Sequence, residues 1–373
     1  MSIWSRASLA VVAGTLALAV PAAAASRAQT ASQKPAATKP SGANEGASSA
    51  SRKFVPKRLP WGDPDISGNF TTKDEANTPF ERPDEFAGRR IEDVTKDELS
   101  KAIKTRQRQA LADAPYPGGG SRDRGVAIAV PIHWFDNLDA ENSRPWFVVD
   151  PPDGKVPPTT DEARKRAAVA AEARRGRGTA DSFTDRSLFD RCIVRGIPPA
   201  VMTPVIYGNS YQILQTKDYV AIRYEMVHEI RIIPIDGRAA ARSHNSSTLR
   251  RYFGDATARW EGDTLVVDTT NFHPMMSYRG STEALHLVER FTRVAPGKVS
   301  WSATVEDPHT WARPWTFSMP LTEDDTQIIH EYGCHEGNYG LRNILSAGRS
   351  DDKKGIKSSN SVDAQEDLNE FAE

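Results

Sequence analysis

The sequence predicts a mainly β protein, with an antiparallel barrel-like or sandwich domain in its C-terminal half and an α+β extension before it. Two observations carry this. From Tyr211 to Cys334 the chain runs through about eight or nine short apolar-polar alternating segments, each bounded by turn residues. Within that stretch Glu261-Gly262-Asp263 joins two such segments as a tight hairpin signal.

Taken in order, the chain opens with an exit signal. Arg6 precedes an apolar run from Leu9 to Val20, and the small residues Ala22 to Ala25 follow. A positive start, a short apolar core and an A-x-A-like end read as a secretory signal peptide over residues 1–25. The run is too short for a stable span of ~30 Å of hydrocarbon, so no lasting membrane insertion is expected after cleavage. Residues 26–57 are Ala, Ser, Thr, Gln, Lys, Gly and Pro with almost no large apolar side chain. Such a segment cannot recover its ordering entropy and reads as a disordered tether. The polar tail 349–373 reads the same way. A periplasmic or secreted location follows from the leader.

Residues 58–205 form a mixed helix and strand segment expected to pack on the β domain. Trp61 to Phe70 is a turn entering a strand. Thr95 caps a helix to about Asp113, with Glu98 completing the capping pattern. Pro131 to Asn137 and Trp146 to Gly154 read as short strands. Thr160 caps a second helix from Asp161 to about Arg175. The β domain proper is placed at 206–348, in segments starting near Tyr211, Tyr219, Val227, Asp255, Thr264, Leu285, Val299, Trp315 and Gln327. Full closure removes exposed edges, which ranks a lipocalin-like barrel above an open sheet.

The composition is ordinary: 373 residues, 38% hydrophobic, 26% charged and a net charge of −1. That balance gives no electrostatic footprint for nucleic acid or an anionic membrane surface. Two cysteines, Cys192 and Cys334, are present. An oxidising compartment favours their pairing, the alternative being two separate buried thiols.

Alternation assigns faces, because neighbouring strand side chains point to opposite sides. Val220, Ile222, Tyr224, Met226, His228, Ile230 and Ile232 share one parity, with Arg231 on the other. Leu285, Leu287, Glu289 and Phe291 share a face, as do Val299, Trp301, Ala303, Val305 and Asp307. His228 and Glu289, with Glu331 or His335, are therefore the candidate catalytic cluster. A histidine oriented by a buried acid suits a general base, and a desolvated Glu suits an acid. The competing reading is that His228 and Glu289 satisfy each other, or an arginine, in the core. Tyr224, Arg231, Arg290, Trp301, Asp307 and Tyr332 are the candidate ligand contacts, the arginines as anion stabilisers. His330-Glu331 followed by His335 lacks zinc-ligand spacing, and no metal or other cofactor is expected. No phosphate loop, nucleophile elbow or dinucleotide fingerprint occurs.

Several segments are long and specific: Asp185-Arg-Ser-Leu-Phe-Asp-Arg-Cys192, Arg259-Trp-Glu-Gly-Asp-Thr-Leu-Val-Val-Asp-Thr-Thr-Asn-Phe272, Leu285-His-Leu-Val-Glu-Arg-Phe291, Glu306-Asp-Pro308, Arg313-Pro-Trp315 and Glu331-Tyr-Gly-Cys-His-Glu-Gly-Asn-Tyr339. On them, from about Pro64 onward, the chain resembles a large family of exported bacterial proteins of unknown function. The resemblance implies export and a shared β fold; it brings no reaction, cofactor or catalytic residue.

The functional expectation is an exported protein that binds a small, fairly apolar molecule and transforms it, if it is an enzyme, by cofactor-free acid/base chemistry of a lyase, isomerase or hydrolase kind. The rivals are a metal-dependent hydrolase and a non-enzymatic module for a protein partner or polysaccharide.

Overall fold

The structure, a computed structural model, describes residues 54–76, 78–113, 143–175, 177–178, 180–205, 207–238, 244 and 248–355. The expected signal peptide, most of the tether, the 131–137 strand and the tail beyond 355 lie outside the described residues. No helix among the described residues is long and apolar enough to cross a membrane.

Ten strands build one antiparallel sheet: β1 Gly68–Thr71, β2 Val148–Asp150, β3 Ser210–Gln215, β4 Tyr219–Tyr224, β5 Ile230–Pro234, β6 Asp255–Glu261, β7 Thr264–Thr270, β8 His286–Ala295, β9 Lys298–Glu306 and β10 Trp315–Glu323. Helices α1 Lys96–Asp113, α2 Asp161–Arg174, α3 Pro198–Met202 and α4 Gly340–Lys353 lie between and after them. Both expected helix starts are capped as the sequence predicts. Thr95 N and Glu98 N exchange bonds with the Glu98 and Thr95 side chains, and Thr160 Oγ1 accepts from Ala163 N at 3.0 Å.

The strand order is β5-β4-β3-β1-β10-β9-β8-β7-β6, with β2 added to β10. Tight turns join β6 to β7 and β8 to β9, at Gly262 with φ 63° and Gly297 with φ 71°, whereas β7 to β8 and β9 to β10 pair across longer connections. The non-sequential step is β1, which enters between β3 and β10 and joins the two hairpin series. Part of the 58–205 stretch thus belongs to the sheet itself.

The sheet does not close into a barrel. Its edge strands approach at one parallel bridge, Ile235 with Ala258, where Asp236 N donates to Ala258 O at 2.7 Å. Alternation specifies which side of a strand is buried and is silent on whether the last strand pairs with the first, so it cannot encode closure.

The core follows the expected parity on β8 and β9, and β10 adds a third inward row. Leu287, Glu289 and Phe291 stand opposite Val305, Ala303 and Trp301, which in turn stand opposite Trp315, Phe317 and Met319. All nine are completely buried. Burying each large apolar member contributes about 1.5–3 kcal/mol.

Two local expectations are corrected. The shared parity from Val220 through Ile232 breaks at a 3-10 turn, Met226–His228, in which Val227 takes φ 57°. Ile222 pairs with Arg231 and Val220 with Ile233, so even-numbered residues point inward on β4 and odd-numbered ones on β5. Arg231 and Ile233 are buried, and Ile230 and Ile232 are 57% and 66% exposed. The last expected strand, from Gln327 to Cys334, is irregular, and helix α4 runs past residue 349 into the stretch read as a disordered tail.

Candidate functional site

The expected site residues fall into separate places. Four of them meet in the core. Glu289 of β8 forms an ion pair with Arg231 of β5 and accepts a second bond from Trp301 Nε1 at 3.2 Å. The other end of the Arg231 guanidinium donates to Thr269 Oγ1 at 2.5 Å. Tyr224 is fully buried beside this pair. Burial pushes the Tyr224 phenol up, against the opposing charge of Arg231, so it stays protonated. Burial alone would lower the Arg231 guanidinium; the Glu289 charge and hydrogen bond outweigh it and hold the group above its ordinary value. The arginine is thus the partner of Glu289, as the competing core reading has it. Thr269, unnoticed in the sequence, accepts a further bond from Arg231. It lies on the inward parity of β7 beside the predicted hairpin, and only the register puts it near Arg231.

His228 sits in the turn before β5 and not on a strand; its side chain lies outside the described residues. Arg290 points outward and pairs with Glu261 at 2.9 Å. Asp307 is buried and saturated by donors: Thr282 N at 2.6 Å, Thr282 Oγ1 at 3.0 Å, Thr310 Oγ1 at 2.8 Å and His309 N at 3.0 Å. It fixes the loop after β9 to the loop before β8, and those amide and hydroxyl bonds outweigh the upward push of burial on its carboxyl.

Glu331, Tyr332 and His335 lie elsewhere, on the irregular segment joined to Cys192 by the disulfide Cys192–Cys334, with Cα atoms 5.6 Å apart. The pairing predicted from the two cysteines is therefore present. Neither Glu331 nor His335 is a partner of Glu289; both are exposed. Around the disulfide the chain builds a cleft of about 540 Å3. One wall is the turn before Cys192, with Phe189 and Asp190, where Asp190 N donates to Ser187 Oγ at 3.0 Å and Cys192 N to Phe189 O at 2.9 Å. The facing wall runs from Glu331 to Asn338 and into α4, which contributes Leu341 and Ile344. Asn338 ties the walls together, its Nδ2 donating to Cys192 Sγ at 3.2 Å.

Tyr332 and Tyr207 also line the cleft and hydrogen-bond to each other; burial, and then this bond, push the Tyr332 phenol up. Behind them Arg195 donates to the carbonyls of Ala200 and Val201 at 3.1 and 3.0 Å, its guanidinium lowered by burial. Glu331 and Tyr332 are the two expected catalytic or ligand-contact residues that line the cleft, beside the paired Cys192 and Cys334. Phe189, Asp190, Tyr207, Glu336 and Leu341 were missed. The available signal was the cysteine pairing, which brings together the residues flanking each cysteine.

A third cluster covers the outer face of β6 to β9. Asp268 accepts from His244 Nε2 at 3.0 Å and His286 Nε2 at 3.1 Å, and His286 Nδ1 faces Glu306 at 3.2 Å. Among the described residues no group of three or more His, Cys, Asp or Glu side chains is arranged to hold a metal ion.

Comparison with known protein-family models finds no match to this chain. Comparison with characterised proteins likewise finds none.

Proposed function

We propose that this is an exported protein, of the bacterial family its motifs resemble, that binds a small, fairly apolar molecule in the cleft beside Cys192–Cys334. The observation that carries the reading is the origin of the two walls. They are centred on two cysteines 142 residues apart, each inside a motif the resemblance rests on, and the disulfide between them holds the walls as a concave surface. Its size falls in the range of small-molecule sites, and it mixes apolar side chains with a few polar groups, as such sites do. A disulfide suits an oxidising compartment, which agrees with the leader-like N-terminus.

The core cluster is read as structural. Glu289 is taken up by Arg231 and Trp301, and the pair lies in packed side chains, so the binding function does not need it. The test is native mass spectrometry of the full chain recovered from a bacterial periplasm, beside Ile344→Arg, which fills the cleft from α4. A small-molecule adduct on the wild type that disappears in Ile344→Arg is the expected result. An adduct indifferent to the substitution, or none on the wild type, overturns the reading.

A further inference from the structure

The charge lining the cleft narrows the class of ligand. This inference rests on the cleft being the binding site. Three carboxylates line it, Asp190, Glu331 and Glu336, with no lysine, arginine or histidine among the lining residues. The chain as a whole carries 48 basic and 49 acidic side chains, so a one-signed lining is a local feature and not a reflection of composition. Arg186 pairs with Asp190 at 2.9 Å and takes up that charge. Glu331 and Glu336 form no ion pair among the described residues. The nearby Arg195 is turned to backbone carbonyls.

The second feature is aromatic. Phe189, Tyr207 and Tyr332 stand in the same lining as the carboxylates. The faces of aromatic rings attract cations, and do so best for weakly hydrated organic ones. A small inorganic cation would gain from the carboxylates and lose hydration against the rings and against Leu341 and Ile344. A neutral apolar molecule would gain nothing from the carboxylates, and an anion would be repelled. Carboxylates, rings and aliphatic side chains in one concave surface match one chemistry, a positive nitrogen bearing alkyl groups.

We propose that the cleft takes an organic cation of the alkylammonium class, its charged head facing Glu331 and Glu336 and its aliphatic part lying against Leu341 and Ile344. The two carboxylates are exposed, so their attraction is screened by salt within about 10 Å at 0.1 M. The preference for the cation therefore shrinks as ionic strength rises.

Isothermal titration calorimetry of the full chain with three probes of equal chain length tests this: hexyltrimethylammonium, hexanol and hexanesulfonate. The expected result is that the ammonium binds about tenfold tighter than hexanol and that the sulfonate is weakest. In Glu331→Gln/Glu336→Gln, whose sites are exposed and whose folding is checked by an unchanged Tm, the ammonium should fall to the level of hexanol. Hexanol itself should bind as before. An ammonium that binds no better than hexanol, or whose advantage survives both substitutions, overturns the cation assignment. If hexanol binding is nonetheless lost in Ile344→Arg, the cleft stands as the site and only the ligand class fails. If no probe binds, or all bind Ile344→Arg unchanged, both readings fall.

Discussion

Arg231 and Glu289, 58 residues apart on β5 and β8, form an ion pair with side chains 4% and 0% exposed. The pair joins the two arms of the open sheet across the core, where neither strand hydrogen-bonds to the other. Such a pair recovers its desolvation only through good geometry and further hydrogen bonds, here from Trp301 and to Thr269. Removing one partner leaves a buried charge. Glu289→Leu and Arg231→Met should each cost about 3–5 kcal/mol in urea unfolding, and the double variant should recover most of that loss. Additive losses in the double variant would show that the two groups act independently.

The phase change between β4 and β5 makes a second prediction that plain alternation would reverse. Ile232 is 66% exposed and Ile233 is 0% exposed, although the continuous reading from Val220 places Ile232 inside. Ile233→Ala should cost about 2–5 kcal/mol, as for a well-packed core position. Ile232→Thr should stay within about 0.5 kcal/mol. Urea midpoints of the two variants decide between the registers.

The same strands show how much was legible in the sequence. Leu287, Glu289 and Phe291, and Val299, Trp301 and Ala303, were placed on their correct faces because each lies within one uninterrupted strand. Across Met226–His228 the count fails, since a turn with Val227 at positive φ changes the phase and a β-branched residue gives no local warning of it. The partners of Glu289 and of Asp268 depend on strand register, and the cleft depends on a disulfide. Both are long-range facts to which periodicity is blind. The cysteines named their own pairing; the cleft around them was an unread consequence.

His286 supplies a pH prediction. Its bond to Asp268 and its contact with Glu306 raise the imidazole above its ordinary 6.5 despite burial. The His286 and His244 bonds lower Asp268 below its ordinary 3.8. A raised histidine stabilises the fold fully below the unfolded value of 6.5 and loses this as pH rises through the folded value. The lowered Asp268 contributes above 3.8 and loses it as pH falls through its folded value. The cluster therefore stabilises most between these two ordinary values. The His286 and Asp268 side chains are 34% and 28% exposed, so solvent screening limits the effect to about 0.5 kcal/mol. Unfolding free energies of wild type and His286→Gln at pH 5.5 and 8.5 should converge at the higher pH. A constant gap would mean that His286 acts by packing alone.

The Cys192–Cys334 bridge makes the last prediction, and it separates the cleft from the sheet. The bridge spans 142 residues, and in the chain-entropy picture closing a loop of that length stabilises the fold by up to about 5 kcal/mol. Cys334 lies outside the strands, on the irregular segment after β10. Sheet hydrogen bonds therefore do not depend on the bridge, whereas the facing of Phe189 and Asp190 against Glu331 and Leu341 does. In Cys192→Ser/Cys334→Ser the far-ultraviolet circular dichroism of the β structure should persist at low temperature and stability should fall by about 2–5 kcal/mol. Amide exchange should accelerate from Glu331 through α4 while β8, β9 and β10 remain protected. Loss of protection throughout the sheet would show that the bridge holds the core together. Loss confined to the segment after β10 would show that it holds only the cleft.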